Sequence, residues 1–154
     1  MDSICFSIEG LPQGKGRPRS AKGQKKPYTP RKTVAYEQRV RTAFLMAYFE
    51  ANGEAMRGEG SLFGDAAIEA RVTAFLPLAK RCSKVAERLA NLGMIRPTKR
   101  PDIDNIEKAV FDALNRLAYN DDSQIVRTVS DKVYCRSGEE RVEVTLRPWR
   151  DGYT

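Results

Sequence analysis

Six apolar residues, Ile106, Ala109, Val110, Ala113, Leu114 and Leu117, recur at intervals of three and four and so line one face of a helix. An apolar face that long is stable only when it lies on another layer, which commits the chain to a packed architecture rather than an extended one. The Pro- and Lys/Arg-rich block Arg96 to Pro101 precedes the helix in extended form, and Asn120-Asp121-Asp122 makes the turn after it.

The layer it needs is legible on either side. Ile4, Phe6 and Ile8 alternate with Ser3, Cys5 and Ser7, the period of a half-buried strand. A second strand runs from Ala66 to Leu76 and is stopped by Pro77. Two more are expected at about Gln124 to Cys135 and Arg141 to Leu146, with Ser137-Gly138-Glu139-Glu140 as a hairpin loop. Thr33 is placed to cap a helix through Val34, Gln38, Val40, Phe44, Leu45, Tyr48 and Phe49, which Gly53 ends. Ser83 opens a shorter one through Val85, Leu89 and Leu92, ended by Gly93. The order β-α-β-(α)-α-β-β describes an α+β domain, a small mixed β-sheet with helices packed on one face. A length of 154 residues suits one domain spanning 1–154.

Charge is distributed unevenly. The chain carries 27 Lys+Arg against 20 Asp+Glu, for a net +7. Between Gln13 and Tyr36 lie Lys15, Arg17, Arg19, Lys22, Lys25, Lys26, Arg31 and Lys32 with no acidic residue, so the rest of the chain is close to neutral. Interleaved glycines and prolines deny this stretch a helix, and a flexible basic loop at about 13–32 is expected. Such a loop suits a polyanion, with Lys15, Arg17, Arg19, Lys25, Lys26 and Arg31 as candidate nucleic-acid contacts, joined by Lys99 and Arg100 from a second basic group. There are 0 His, which excludes Ser-His-Asp and Cys-His catalysis, H-E-x-x-H zinc sites and any His general base. Cys5, Cys82 and Cys135 stand apart with no C-x-x-C pair and read as reduced thiols. No segment resembles a signal peptide or a membrane span, so a cytoplasmic protein without membrane contact is expected.

The densest reactive group is Asp102, Asp104, Glu107 and Lys108, followed by Asp121 and Asp122 beyond the helix. In the extended approach, residues two apart point the same way, so Asp102 and Asp104 can present both carboxylates to one place. Lys108 lies one turn further. Carboxylates without His form a hard-oxygen site suited to Mg2+, with Mn2+ as a substitute, and a metal there can polarise a phosphodiester. An ordinary reading competes: Asp104 with Glu107 matches a capping box, Asp104/Lys108/Asp112 an ion-pair ladder, and Asp121-Asp122 a turn.

The run from Pro101 to Asn115, then Asp121-Asp122-Ser123-Gln124-Ile125, resembles the signature of the RusA family of Holliday junction resolvases, found in bacteria and their phages: P-D-x-D-N-x-x-K-a-x-x-D-a-L-n followed by D-D-x-q-v. The likeness extends more weakly to Gly14 through Arg19, Tyr28 through Glu37 and Lys132-Val133-Tyr134. It implies a homodimeric, Mg2+-dependent endonuclease that nicks two strands of a four-way DNA junction symmetrically, in recombination and repair. Position by position, Asp102, Asp104 and Asp122 take the metal-binding and catalytic carboxylates and Lys108 the essential lysine, while Asp121 ranks below Asp122. Lys80 to Met94 looks like an insertion and the basic arm is long, departures that bear on DNA contacts and sequence preference. A two-fold dimer would address two symmetry-related strands with one site each. Two other readings use the same residues: a non-catalytic, structure-selective DNA-binding protein, and a nuclease preferring other branched DNA.

Overall fold

Alternating burial organises a four-stranded sheet in the computed structural model, which describes residues 1–16, 20, 22–23, 28–58 and 60–150. Strand β1 (Ile4–Glu9) turns Ile4, Phe6 and Ile8 inward, and β2 (Ile68–Pro77) turns in Ile68, Ala70, Val72, Ala74 and Leu76. Strand β3 is Ile125–Cys135 and β4 is Arg141–Pro148. The strand order is β1-β4-β2-β3, with β4 antiparallel to both neighbours and β2 parallel to β3. The fold is therefore α+β with a mixed sheet, as the patterning implied.

The expected hairpin between the last two strands does not form, because β4 lies between β1 and β2 and has no ladder with β3. Burial explains the choice. Val142, Val144 and Leu146 of β4 are each at most 1% exposed, whereas no residue of β3 is fully buried. The strand whose inward face is entirely apolar takes the centre, and the one with no fully buried residue takes the edge.

Three helices complete the chain order. Helix α1 (Arg31–Asn52) buries Thr33, Tyr36, Val40 and Phe44, one stripe at helical spacing, and Phe44 meets Phe6 of β1 edge to face at 5.7 Å. Full burial of a side chain such as Phe44 contributes about 1.5–3 kcal/mol. Gly53, at φ 73°, closes the helix by donating its N–H to Phe49 O at 2.8 Å. Thr33 is not its cap. The helix begins two residues earlier, after Pro30, whose carbonyl accepts from Thr33 N and Val34 N, and Thr33 is buried against the rest of the fold instead. Helix α2 (Lys84–Asn91) is capped as expected, Ser83 Oγ accepting from Ala86 N at 3.1 Å.

Helix α3 (Ile103–Leu114) buries Ile106, Ala109, Val110, Phe111, Ala113 and Leu114 against the sheet and α1. It stops short of Leu117, since Asn115 leaves the helix at ψ 133° and Arg116 takes φ 67°. Arg41 of α1 donates to the Ala113 carbonyl at 3.0 Å, a cation at the negative end of α3. Beyond the turn, Tyr119 is fully buried and its hydroxyl donates to Phe111 O at 2.9 Å. A single 3-10 turn, Asp122–Gln124, then leads into β3.

Among the described residues Cys5, Cys82 and Cys135 are free thiols, and no helix is long and apolar enough to cross a membrane.

Candidate active site

Helix α3 is the axis on which the candidate residues are arranged. Asp102 is its N-cap residue, in extended conformation, yet its side chain makes no capping hydrogen bond. Asp104 lies in the first turn, and Lys108 and Asp112 follow at successive intervals of four, so these three share a side of the helix. Asp102, Asp104 and Lys108 are all exposed. Among the described residues no cation pairs with Asp102 or Asp104, and Glu107 does not fold back to complete a capping box. Glu107 instead accepts from the Ser130 hydroxyl of β3, fastening α3 to the sheet edge.

The turn after α3 separates the two neighbouring aspartates. Asp121 is the capping residue of the 3-10 turn: its carboxylate accepts from Ser123 N at 3.2 Å, while Gln124 Oε1 accepts from Asn120 N and Asp121 N. Gln124 Nε2 anchors the same turn to the carbonyls of Gly64 and Ala66 at 2.8 and 2.9 Å. Asp122 is left to face α3, where its carboxyl lies close enough to that of Asp112 for each to feel the other's charge.

This carboxyl pair sits inside a set of charges. The Lys15 ammonium bridges Glu37 of α1 and Asp112 Oδ2, the latter at 2.9 Å, and Lys108 Nζ approaches the same Asp112 oxygen at 3.6 Å. Burial works against the charge on Asp112, but the Lys15 contact outweighs it and holds the carboxyl below its ordinary value. Burial, then the neighbouring Asp112, pushes Asp122 above its ordinary value. Burial likewise opposes the charge on Lys15, and its two carboxylate partners outweigh that and raise it.

Lys15 is held there by its backbone. Its N–H donates to Asn105 O at 3.0 Å, and glycines flank it on both sides. A Cβ on Gly14 would stand 3.0 Å from Asn105 Cβ, and one on Gly16 would overlap the Thr33 hydroxyl. The Gly-Lys-Gly backbone thus presses between the first turns of α1 and α3 in a way that larger residues would block.

Beside it opens a cleft of about 830 Å3, lined by Lys15, Lys32, Arg100, Asp102 and Asn105 together with backbone of the Pro12–Gly16 segment. Lys132 Nζ donates to Lys99 O at 2.6 Å and ties the approach segment to β3. Arg31, Lys99 and Arg100 are exposed around this region, while Arg17, Arg19, Lys25 and Lys26 lie outside the described residues.

The sequence-derived set is therefore brought together in part. Asp102, Asp104 and Lys108 share the N-terminal half of α3. Asp122 meets Asp112, which is eight residues, or about 12 Å of helix rise, beyond Asp104. Among the described residues no three His, Cys, Asp or Glu side chains gather in a way that could hold a metal ion. In donor type the fit is good: every candidate ligand is a hard carboxylate oxygen, and the contact between Asp112 and Asp122 concentrates negative charge that a divalent cation would relieve. Sequence reasoning gave Asp112 only an ion-pair role and overlooked Glu37. Asp112 carried two signs, its interval of four from Lys108 and the D of the resembled signature, while Glu37 only closed the weaker likeness from Tyr28.

Residues 9–147 match the model of the family described as endodeoxyribonuclease RusA. The chain is also similar to the uncharacterized protein YqaN of Bacillus subtilis (strain 168), 36% identical over 147 residues, covering 96% of this chain and 97% of that one.

Proposed function

Because this chain belongs to the RusA family of endodeoxyribonucleases, we propose that it resolves four-way DNA junctions by paired, symmetric, Mg2+-dependent nicks, acting as a homodimer in DNA recombination and repair. The observation that carries this reading is the pair Asp102 and Asp104, exposed at the start of α3 beside a basic cleft and engaged by neither a cap nor a described cation, with Lys108 one turn further. Polar side chains free of cap and core duties are available for binding and catalysis.

Asp102 and Asp104 are the residues that would hold the cation, joined by Asp122 only where the turn after α3 carries it toward them, and Mn2+ suits the same oxygen ligands. A cation bound there supplies a Lewis acid for the phosphodiester and lowers the pKa of bound water. Lys108 places a positive charge beside the phosphate that receives the attacking water, stabilising the charge that builds on its oxygens. Lys32, Lys99, Arg31 and Arg100 neutralise neighbouring phosphates and so set the register of the strand without reading its bases. A second copy related by a two-fold axis would bring an equivalent site to the opposing strand.

The test is a labelled four-way junction and a linear duplex of the same sequence, each incubated with protein in Mg2+, in Mn2+ and in chelator. Symmetric metal-dependent nicks confined to the junction are expected, and Asp102→Asn should abolish them while junction binding survives. Tight binding without nicks in either metal would replace this reading with a structure-selective DNA-binding protein. Faster cutting of flaps or forks would replace the substrate.

A further inference from the structure

We propose that Lys15 is a positioning residue for the nuclease centre: held between Glu37 and Asp112, it fixes Asp112 and offsets its charge, so that Asp122 can lie beside it on α3. This rests on the nuclease reading above and assigns Lys15 a task other than touching DNA.

Geometry separates Lys15 from the other cations of the basic segment. Its side chain is only 21% exposed, and its ammonium is engaged on two sides by Glu37 and Asp112. An ammonium in that position has little capacity left for a phosphate. Its backbone is docked too, by the Asn105 contact and by the close approach of Gly14 and Gly16 to α3 and α1. The segment is therefore anchored at Lys15.

The consequence follows from what Asp112 touches. Its Oδ2 meets Lys15 and Lys108, and Asp122 lies close enough to be influenced by its charge. Two carboxylates in contact repel unless a counter-charge offsets one of them. Lys108 lies further away, at 3.6 Å with a side chain 60% exposed, so solvent screens much of its attraction. Lys15 is closer and more enclosed, and it is the group that keeps Asp112 in place. Without it, Asp112 would be pushed off by both Glu37 and Asp122. Asp122 would then face a carboxylate whose charge is no longer offset, and its place beside α3 would be lost.

The discriminating experiment compares Lys15→Met, Lys15→Arg and Glu37→Gln with the unaltered chain in three measurements. These are junction affinity in chelator as a function of salt, single-turnover nicking rate at saturating DNA, and Mn2+ binding to the DNA-free protein followed by the metal's EPR signal. Thermal melting identifies any variant that fails to fold, in which case Glu37→Gln and Lys15→Arg carry the comparison. A positioning role predicts that Lys15→Met leaves junction affinity within twofold and its salt slope unchanged. The nicking rate should fall about 10- to 100-fold, Mn2+ binding should weaken, Glu37→Gln should share the direction, and Lys15→Arg should restore most of the rate.

A drop in affinity with a salt slope smaller by about one would make Lys15 a phosphate contact and overturn the assignment. So would unaltered rate and Mn2+ binding in Lys15→Met. If the unaltered protein cuts no branched DNA, yet Lys15→Met still weakens Mn2+ binding, the nuclease reading fails and the positioning role stands.

Discussion

The Glu107 carboxylate of α3 accepts a hydrogen bond from the Ser130 hydroxyl of β3, across the seam between that helix and the edge of the sheet. This contact joins two elements that are otherwise lightly connected and steadies the half of α3 that carries Asp104 and Lys108. Both side chains are part-buried, so the bond is partly shielded from water. Ser130→Ala should cost about 1–2 kcal/mol in urea unfolding. It should also slow nicking more than it weakens junction binding. Unchanged stability would show that α3 is held by its apolar face alone.

Asp102 and Asp104 are expected to be nearly silent in stability. Neither side chain caps the helix or pairs with a described cation, so Asp102→Asn and Asp104→Asn should each shift unfolding by under about 0.5 kcal/mol. Nicking should fall at least about a hundredfold in the same proteins. A large loss of stability would return these residues to a structural role.

Gly16 is expected to tolerate no side chain. The Thr33 hydroxyl it faces is itself buried at 7% exposure, so neither group can easily move. Gly16→Ala should destabilise by about 1–3 kcal/mol. Gly60→Ala meets open space and should be neutral or slightly stabilising. Equal melting temperatures for the two variants would contradict the close packing at Gly16.

Stability should decline above pH 10 through Tyr119. Burial, followed by the nearby Asp122, Asp112 and Asp121 charges, raises its phenol far above the ordinary value of 10.0. The unfolded chain releases that proton near pH 10 and the folded chain does not, so the unfolded state binds fewer protons and stability falls as pH rises further. Tyr119→Phe should flatten the decline between pH 10 and 11 in urea melts. At neutral pH the same change should cost about 1–3 kcal/mol, because the Phe111 carbonyl loses its donor.

Much of this structure could be read from residue periodicity, because periodicity reports which face is buried. The stripes of β1, β2 and α3 and the caps at Ser83 and Gly53 all emerged in that way. Periodicity says nothing about which strands are neighbours. The short turn-like segment before Arg141 suggested a hairpin, yet the greater apolarity of Val142, Val144 and Leu146 drew that strand past β2 into the centre. The start of α1 was misplaced because Pro30 is itself compatible with a helix beginning, which freed Thr33 for packing. At the site, residues close in sequence were identifiable and those joined through tertiary structure were not. Asp102, Asp104 and Lys108 lie along one helix, whereas the meeting of Lys15, Glu37, Asp112 and Asp122 needs four separate segments to converge.

The central place of β4 also sets the order in which the molecule can assemble. During synthesis β1 emerges first, but every rung of its ladder is supplied by β4, the last strand to be made. Until Arg141 and its successors leave the ribosome, β2 can pair only with β3, and its other edge and all of β1 stay open. The nascent chain therefore carries unpaired apolar edges for most of its elongation, a slow and aggregation-exposed route that ends when one late strand slots in and closes both gaps together.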